Sequence, residues 1–304
     1  MKKNIIFLVG PTAVGKSECA VKFAKKINAE IISCDSMQIY KGMDILTSKP
    51  HLVLRKKIPH HLISLISPQK EFNASQYRKI AIREIGEIYD RGKIPLFVGG
   101  TGLYMLVLID GIFDLKTENK IIRSHLEKEA KAKGSSHLYK KLKKIDLLAA
   151  QKIHPNDLKR IIRALEVFEV TGSRISELQT QKHGLGENYD IKIFCLDMGR
   201  QELYKKINAR VERMFKQGLA AEVKKLLKLK LSRTARYAIG LREIKRYLDG
   251  EYDLESAKES IKRNTRRYAK RQLTWFRKDK RIRWIKVEID DSPKVIAERI
   301  IRLL

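Results

Sequence analysis

Cysteine is scarce in this sequence: Cys19, Cys34 and Cys195 are the only three in 304 residues, and no two form a CxxC pair. Neither a disulfide framework nor a zinc site of usual spacing is readable, and buried, idle thiols are the expected state. Long apolar runs are missing too. The longest, Ile5 to Val9 and Leu103 to Ile109, fall far short of the roughly 18 residues that span a bilayer, so no membrane partner is expected. Met1-Lys2-Lys3-Asn4 opens like a signal peptide, but the apolar run that follows stops at Gly10-Pro11-Thr12 without a cleavage site, which makes the cytoplasm the expected location. Acid is the third shortage: 35 Asp and Glu stand against 65 Lys and Arg, a net charge of +30. Such an excess points to a polyanionic partner, nucleic acid first, although a solvated basic surface would carry the same count. There is no internal repeat or low-complexity linker, and a hydrophobic share of 43% suits a globular chain.

What is present begins with Ile5 to Val9, a short buried-type strand, followed by a glycine turn and a helical stretch from Gly15 to Lys26. Further strands are expected at Glu30 to Ser33, His61 to Ile66 and Ile94 to Val98, with a helix from Ala74 to Arg91. The adjacent His60 and His61 read as framing a strand rather than binding metal. Strands alternating with helices imply a parallel, doubly wound sheet. From about Leu115 to Lys182 the pattern becomes helical, with runs at Asn119 to Lys133 and Asn156 to Val170. A strand resumes at Ile191 to Leu196, and one more is offered by Arg283 to Val287. The expected fold class is therefore α/β: a P-loop-type doubly wound parallel sheet over 1–114, a small inserted helical domain over 115–185, and the rest of the core with a helix-rich basic C-terminal part over 186–304.

The turn after the first strand is Gly10-Pro11-Thr12-Ala13-Val14-Gly15-Lys16-Ser17, which fits GxxxxGK[ST] in the strand-to-helix context that the motif requires. Its glycines let backbone amides turn onto phosphate oxygens, the helix start adds positive potential, Lys16 supplies a charge and Ser17 a hydroxyl for Mg²⁺. A nucleotide hydrolase of this type also needs an aspartate closing a second apolar strand. That aspartate is missing: Ile94 to Val98 runs into Gly99-Gly100-Thr101-Gly102, a second glycine turn with a hydroxyl suited to the far side of a short diphosphate. A diphosphate that is held but not hydrolysed fits this pair of turns.

After the second strand come Asp35-Ser36-Met37-Gln38-Ile39-Tyr40-Lys41-Gly42-Met43-Asp44 and Thr47-Ser48-Lys49-Pro50. Together with the phosphate loop, Gly99 to Tyr104, Ile153 to Asp157, Arg163 to Val167 and Lys270 to Trp275, they resemble the bacterial tRNA dimethylallyltransferase family, in the same order over nearly the whole chain. The resemblance implies transfer from dimethylallyl diphosphate to the exocyclic amine of adenosine 37 in the tRNA anticodon stem-loop, with Mg²⁺ and release of diphosphate; a monomer is the expected state. It also implies roles. Asp35 matches the family's general base, Ser36, Met37 and Gln38 its tRNA contact, and Thr101 a contact to both diphosphate and tRNA. Arg123 and the segment Lys159, Arg160, Ile161, Ile162 and Arg163 match further tRNA contacts, and Arg210 an arginine associated with the allyl diphosphate. Leu46 stands where relatives often have glycine, Ile239 to Glu243 departs from the family pattern, and Lys228 to Arg236 is shortened.

The chemistry suits these residues. Lys16, the loop amides and Arg210 would stabilise charge on the departing diphosphate, while Asp35 would take the proton of an amine made acidic by attack. An aspartate after a strand also serves as a cap. Ile261 to Arg283 holds eleven Lys or Arg against one acid, Asp279, and there Arg266 and Arg267 are expected to meet RNA phosphates. Leu273, Trp275 and Phe276 are expected in the core. Two other readings remain open: a prenyltransferase acting on free adenine nucleotides, which has less use for a basic tail, and a P-loop RNA-binding ATPase, against which the missing aspartate speaks.

Overall fold

The structure is a computed structural model that describes residues 2–113 and 119–304. It forms two compact units, 1–109 with 185–304, and 110–184; the boundary expected between 114 and 115 lies outside the described residues. The first unit opens with β1 (Asn4–Val9), α1 (Lys16–Ile27), β2 (Ala29–Ser33), α2 (Leu52–Lys57), β3 (His60–His61), α3 (Ala74–Asp90), β4 (Ile94–Gly99) and α4 (Gly102–Ile109). The second unit holds α5 (Lys120–Lys133), α6 (Ser135–Ile145), α7 (Leu147–Lys152), α8 (Leu158–Thr171) and α9 (Ile175–Leu178). The first unit then resumes with β5 (Asp190–Met198), α10 (Arg200–Lys216), α11 (Leu219–Leu227), α12 (Leu241–Leu248), α13 (Leu254–Phe276), β6 (Ile282–Val287) and α14 (Pro293–Ile301).

The six strands lie in the order β3-β2-β4-β1-β5-β6, and every pairing is parallel. Such a sheet must be covered on both faces, and the alternation along β1 shows how. Ile5, Phe7 and Val9 enter one apolar cluster, with α3 residues Tyr77, Ala81 and Ile85. Ile6 and Leu8 enter the other, with α1 residues Ala20 and Phe23 and α14 residues Ile296 and Ile300. Phe7 and Phe97 stack at 4.7 Å across β1 and β4, and truncating either to Ala would cost about 3–5 kcal/mol. This is the α/β, P-loop-type doubly wound fold expected. A ligand site in such a fold lies beyond the carboxyl ends of the strands, where the loops after β1, β2 and β4 emerge.

One strand is shorter than its sequence suggests. His61 to Ile66 reads as extended, but only His60 and His61 join the sheet, because Leu62 and Ser64 adopt left-handed backbone (φ 59° and 54°). The rest of the segment bonds instead to the loop after β2, through Leu65 N and Ile66 N to Ile39 O. His61 sits between Glu30 and Glu84, each at 2.8 Å, and no group of three or more His, Cys, Asp or Glu among the described residues could hold a metal ion. The three thiols are buried and unpaired, each pushed up to about 12 by burial.

Inside the helical unit, side-chain caps set the helix starts: Asn119 for α5, Asp146 for α7 and Asp157 for α8. Its own core gathers Leu126, Leu138, Leu142, Ile161 and Leu165.

Candidate active site

The loop from Gly10 to Gly15 carries the chain from β1 to α1. Gly15, at φ 100°, provides the left-handed step that lets the helix begin at Lys16, a conformation costly for other residues. The Lys16 ammonium donates to Gly10 O at 2.9 Å and Pro11 O at 2.7 Å, so the cation sits over its own loop. Burial first, then Arg210, brings it down to about 8, while Asp35 pulls in the opposite sense.

Asp35 follows β2. Its Oδ1 accepts from the amides of Met37 at 2.9 Å and Gln38 at 3.4 Å, which fixes the carboxylate against the start of a turn. Thr101 opens the second glycine turn beside it: Thr101 Oγ1 accepts from Ser36 N at 3.0 Å and lies 3.4 Å from Ser36 Oγ. The two loops can approach because Gly99 has no side chain, since a Cβ there would lie 2.0 Å from Cys34 O. Gln38 Oε1 accepts from Ser33 Oγ at 3.2 Å, and Met37 packs against the core.

Two side chains from the later half of the chain close the arrangement. Arg210 on α10 donates from Nε to Ser48 Oγ and from Nη1 to Thr12 Oγ1, both at 2.8 Å; burial loosens its hold on its proton, which Asp35 opposes. Gln272 on α13, 5% exposed, accepts from Thr12 N through Oε1 and donates from Nε2 to Gly100 O, each at 2.9 Å. One amide thereby ties the two glycine turns together. The phenol of Tyr268 is pushed up by burial and by Asp35. The cavity among these groups measures about 840 Å³, and Lys16, Ser17, Asp35, Arg210, Tyr268 and Gln272 line it.

An IPP transferase family model matches residues 38–279. The chain belongs to the IPP transferase family. It is 47% identical to the tRNA dimethylallyltransferase of Alkaliphilus oremlandii, over 99% of this chain and 97% of that one. With the tRNA dimethylallyltransferase of Carboxydothermus hydrogenoformans it shares 50% identity, over 99% and 96%. The full-length tRNA isopentenylpyrophosphate transferase of Bacillus halodurans superposes with a TM-score of 0.73 at 40% identity, covering 100% of this chain and 96% of that one. A eukaryotic dimethylallyltransferase acting on tRNA gives 0.79 at 31%, over 93% and 74%.

Not every residue carried over to this IPP transferase faces outward. Ile161 and Ile162 are buried, at 0% and 5% exposure, in the core of the helical unit. Their side chains pack inward, so at these two positions of the expected contact segment only the main chain is left to meet RNA. Lys159 and Arg160, on the first turn of the same helix, are exposed. Arg123 and Arg163 both pair with the fully buried Glu166, at 2.7 and 3.0 Å, so part of their donor capacity is spent inside the unit. On α13, Arg267 is exposed, whereas Arg266 donates to Asn208 at 2.7 Å and lies over the Tyr204 ring. Leu273, Trp275 and Phe276 pack with the core as expected. Gln272, Tyr268 and Ser48 were not singled out from the sequence, although each lies in or beside a segment that carries the family resemblance.

Proposed function

We propose that this IPP transferase moves the dimethylallyl group from dimethylallyl diphosphate to the N6 amine of adenosine 37 in a tRNA anticodon stem-loop, giving N6-(dimethylallyl)adenosine and diphosphate. The observation that carries the reading is the meeting of Lys16, Arg210 and Asp35 around one cavity: two cations suited to a leaving diphosphate, and a carboxylate suited to an incoming amine. As the allylic carbon–oxygen bond breaks, its electron pair passes to the diphosphate, where Lys16, the loop amides and Arg210 stabilise it. The adenine amine, whose lone pair is delocalised into the ring, forms the new carbon–nitrogen bond and loses its proton to Asp35. Thr101, bonded to Ser36, holds the two substrate loops in register.

The donor set suits magnesium as this site would bind it. The Ser17 hydroxyl, which lines the cavity, would be the protein ligand, and Mg²⁺ commonly completes its shell with substrate phosphates and water. When bound it would neutralise charge on the diphosphate. A buried diphosphate demands an unstacked base, which an anticodon loop offers. We infer that the RNA backbone is met by Lys159, Arg160 and Arg267, with Ser36, Met37 and Gln38 at the base. No helix among the described residues is long and apolar enough to cross a membrane, and the enzyme is proposed to act in the cytoplasm as a monomer.

The test is transfer from dimethylallyl diphosphate to an anticodon stem-loop, followed by nucleoside mass spectrometry, with ATP hydrolysis as the parallel assay. The expected result is N6-(dimethylallyl)adenosine and no ATP turnover. Sustained RNA-stimulated ATP hydrolysis without the modified nucleoside would replace this reading with an RNA-binding ATPase.

A further inference from the structure

The segment that leaves Asp35 and leads to α2 is gripped twice by the α10–α11 hairpin. From α10, Arg210 Nε donates to Ser48 Oγ at 2.8 Å. From α11, Glu222 takes three successive backbone amides: Oε2 accepts from Asp44 N at 3.0 Å and Ile45 N at 2.9 Å, and Oε1 accepts from Leu46 N at 2.8 Å. A second charge holds the same loop from within, where Lys49 Nζ donates to Asp44 Oδ1 and Ser64 Oγ, both at 2.7 Å. Ser48 itself adopts left-handed backbone, φ 46°, which a non-glycine residue keeps only when its surroundings hold it there.

Glu222 does not line the cavity, yet it is two bonded steps from the cation that does. Three amides converging on one carboxylate make a charge-assisted and geometrically demanding anchor. Removing it would loosen residues 44–46 and, through them, Ser48, one of the two groups that hold the Arg210 side chain. We propose that Glu222 is a positioning residue, which sets the Arg210 guanidinium at the diphosphate end of the cavity by way of the 44–48 loop. This rests on the reading of Arg210 as a diphosphate contact. The competing role is local: Glu222 lies in the first turn of α11, where a carboxylate favours the helix dipole and its loss would lower the melting temperature alone.

Calorimetric binding of inorganic diphosphate with Mg²⁺ to the full chain separates these roles. Glu222→Gln keeps the side-chain length but loses one acceptor oxygen, and it should weaken diphosphate binding about tenfold, the penalty of a misplaced binding group, with tRNA affinity within about twofold. Arg210→Ala should weaken it at least as much, and the double variant should be no weaker than Arg210→Ala, because the two changes cut one line. Normal diphosphate binding by folded Glu222→Gln, with Arg210→Ala impaired, overturns the positioning role and leaves the Arg210 reading standing. Additive losses overturn it as well, by showing a separate route. Unimpaired binding by Arg210→Ala sinks the Arg210 reading and the positioning role with it. Should Glu222→Gln melt below the assay temperature, Ser48→Ala cuts the same line from the loop side, and it must reproduce the tenfold, non-additive loss or the proposal fails.

Discussion

At the residue scale, Asp35 accepts from the Met37 and Gln38 amides through Oδ1, so the capping role open to any aspartate after a strand is realised, and it does not exclude proton transfer. Asp35→Asn keeps an Oδ1 acceptor for both amides and should melt like the parent, but it cannot take a proton at neutral pH. Single-turnover transfer should fall by about 10²–10⁴; a rate within a few-fold of the parent would leave Asp35 as a cap alone. Lys16 yields a pH prediction of definite sign. Its proton is held to about 8 by burial and Arg210, so the ammonium that attracts diphosphate is present below that value and is lost as pH rises through it. The dissociation constant for dimethylallyl diphosphate should climb between about pH 7 and 9.5, and Lys16→Arg, whose guanidinium stays charged, should flatten the curve. A parent profile already flat over that range would remove Lys16 from the contact.

At the scale of elements, α13 shows what could be read in advance and what could not. Its basic outer face and its core-facing Leu273 and Phe276 follow from helical spacing, because apolar and charged positions separate by turn. Its inward amide does not, because a lone Gln carries no periodic signal, and the glycine turns it bridges lie 172 and 260 residues away in sequence. Gln272→Leu would leave Thr12 N and Gly100 O without their partner, at about 1–3 kcal/mol for each buried group. The expected result is a melting point lower by several degrees together with weaker diphosphate binding; an unchanged melting point would deny the clamp. The phosphate loop and most strands were legible, since strand, glycine turn and helix follow one another directly. The end of β3 was not, because left-handed turns at Leu62 and Ser64 have no glycine to announce them. The contact segment at 159–163 was readable only as a block, whereas 3.6 residues per turn put Lys159 and Arg160 outside and Ile161 and Ile162 in the core.

For the whole molecule, a net charge of +30 should make tRNA affinity fall steeply as salt rises from about 50 to 200 mM, since each neutralised phosphate releases counterions. Arg267→Ala should lower the log–log slope by about 0.7 to 0.9, one phosphate's share. Arg266→Ala should lower it less, because Asn208 and Tyr204 already engage that guanidinium. A reversed ranking in filter binding would move the phosphate contact to Arg266, and an equal one would deny that Asn208 and Tyr204 withhold its guanidinium. The strand order has a consequence during synthesis. β1 pairs with β5 along Asn4 to Val9, yet Asp190 emerges from the ribosome long after Val9, roughly 10 to 40 s later at ordinary elongation rates. Once β4 has paired with β1, the nascent sheet carries β1 as an open border that is apolar from Ile5 to Val9, the kind that recruits strands from other chains. The helical unit is made within the same interval from contacts that are local in sequence, and such units fold quickly. Chaperone demand on the translating polysome should therefore peak before β5 appears and decline once it docks.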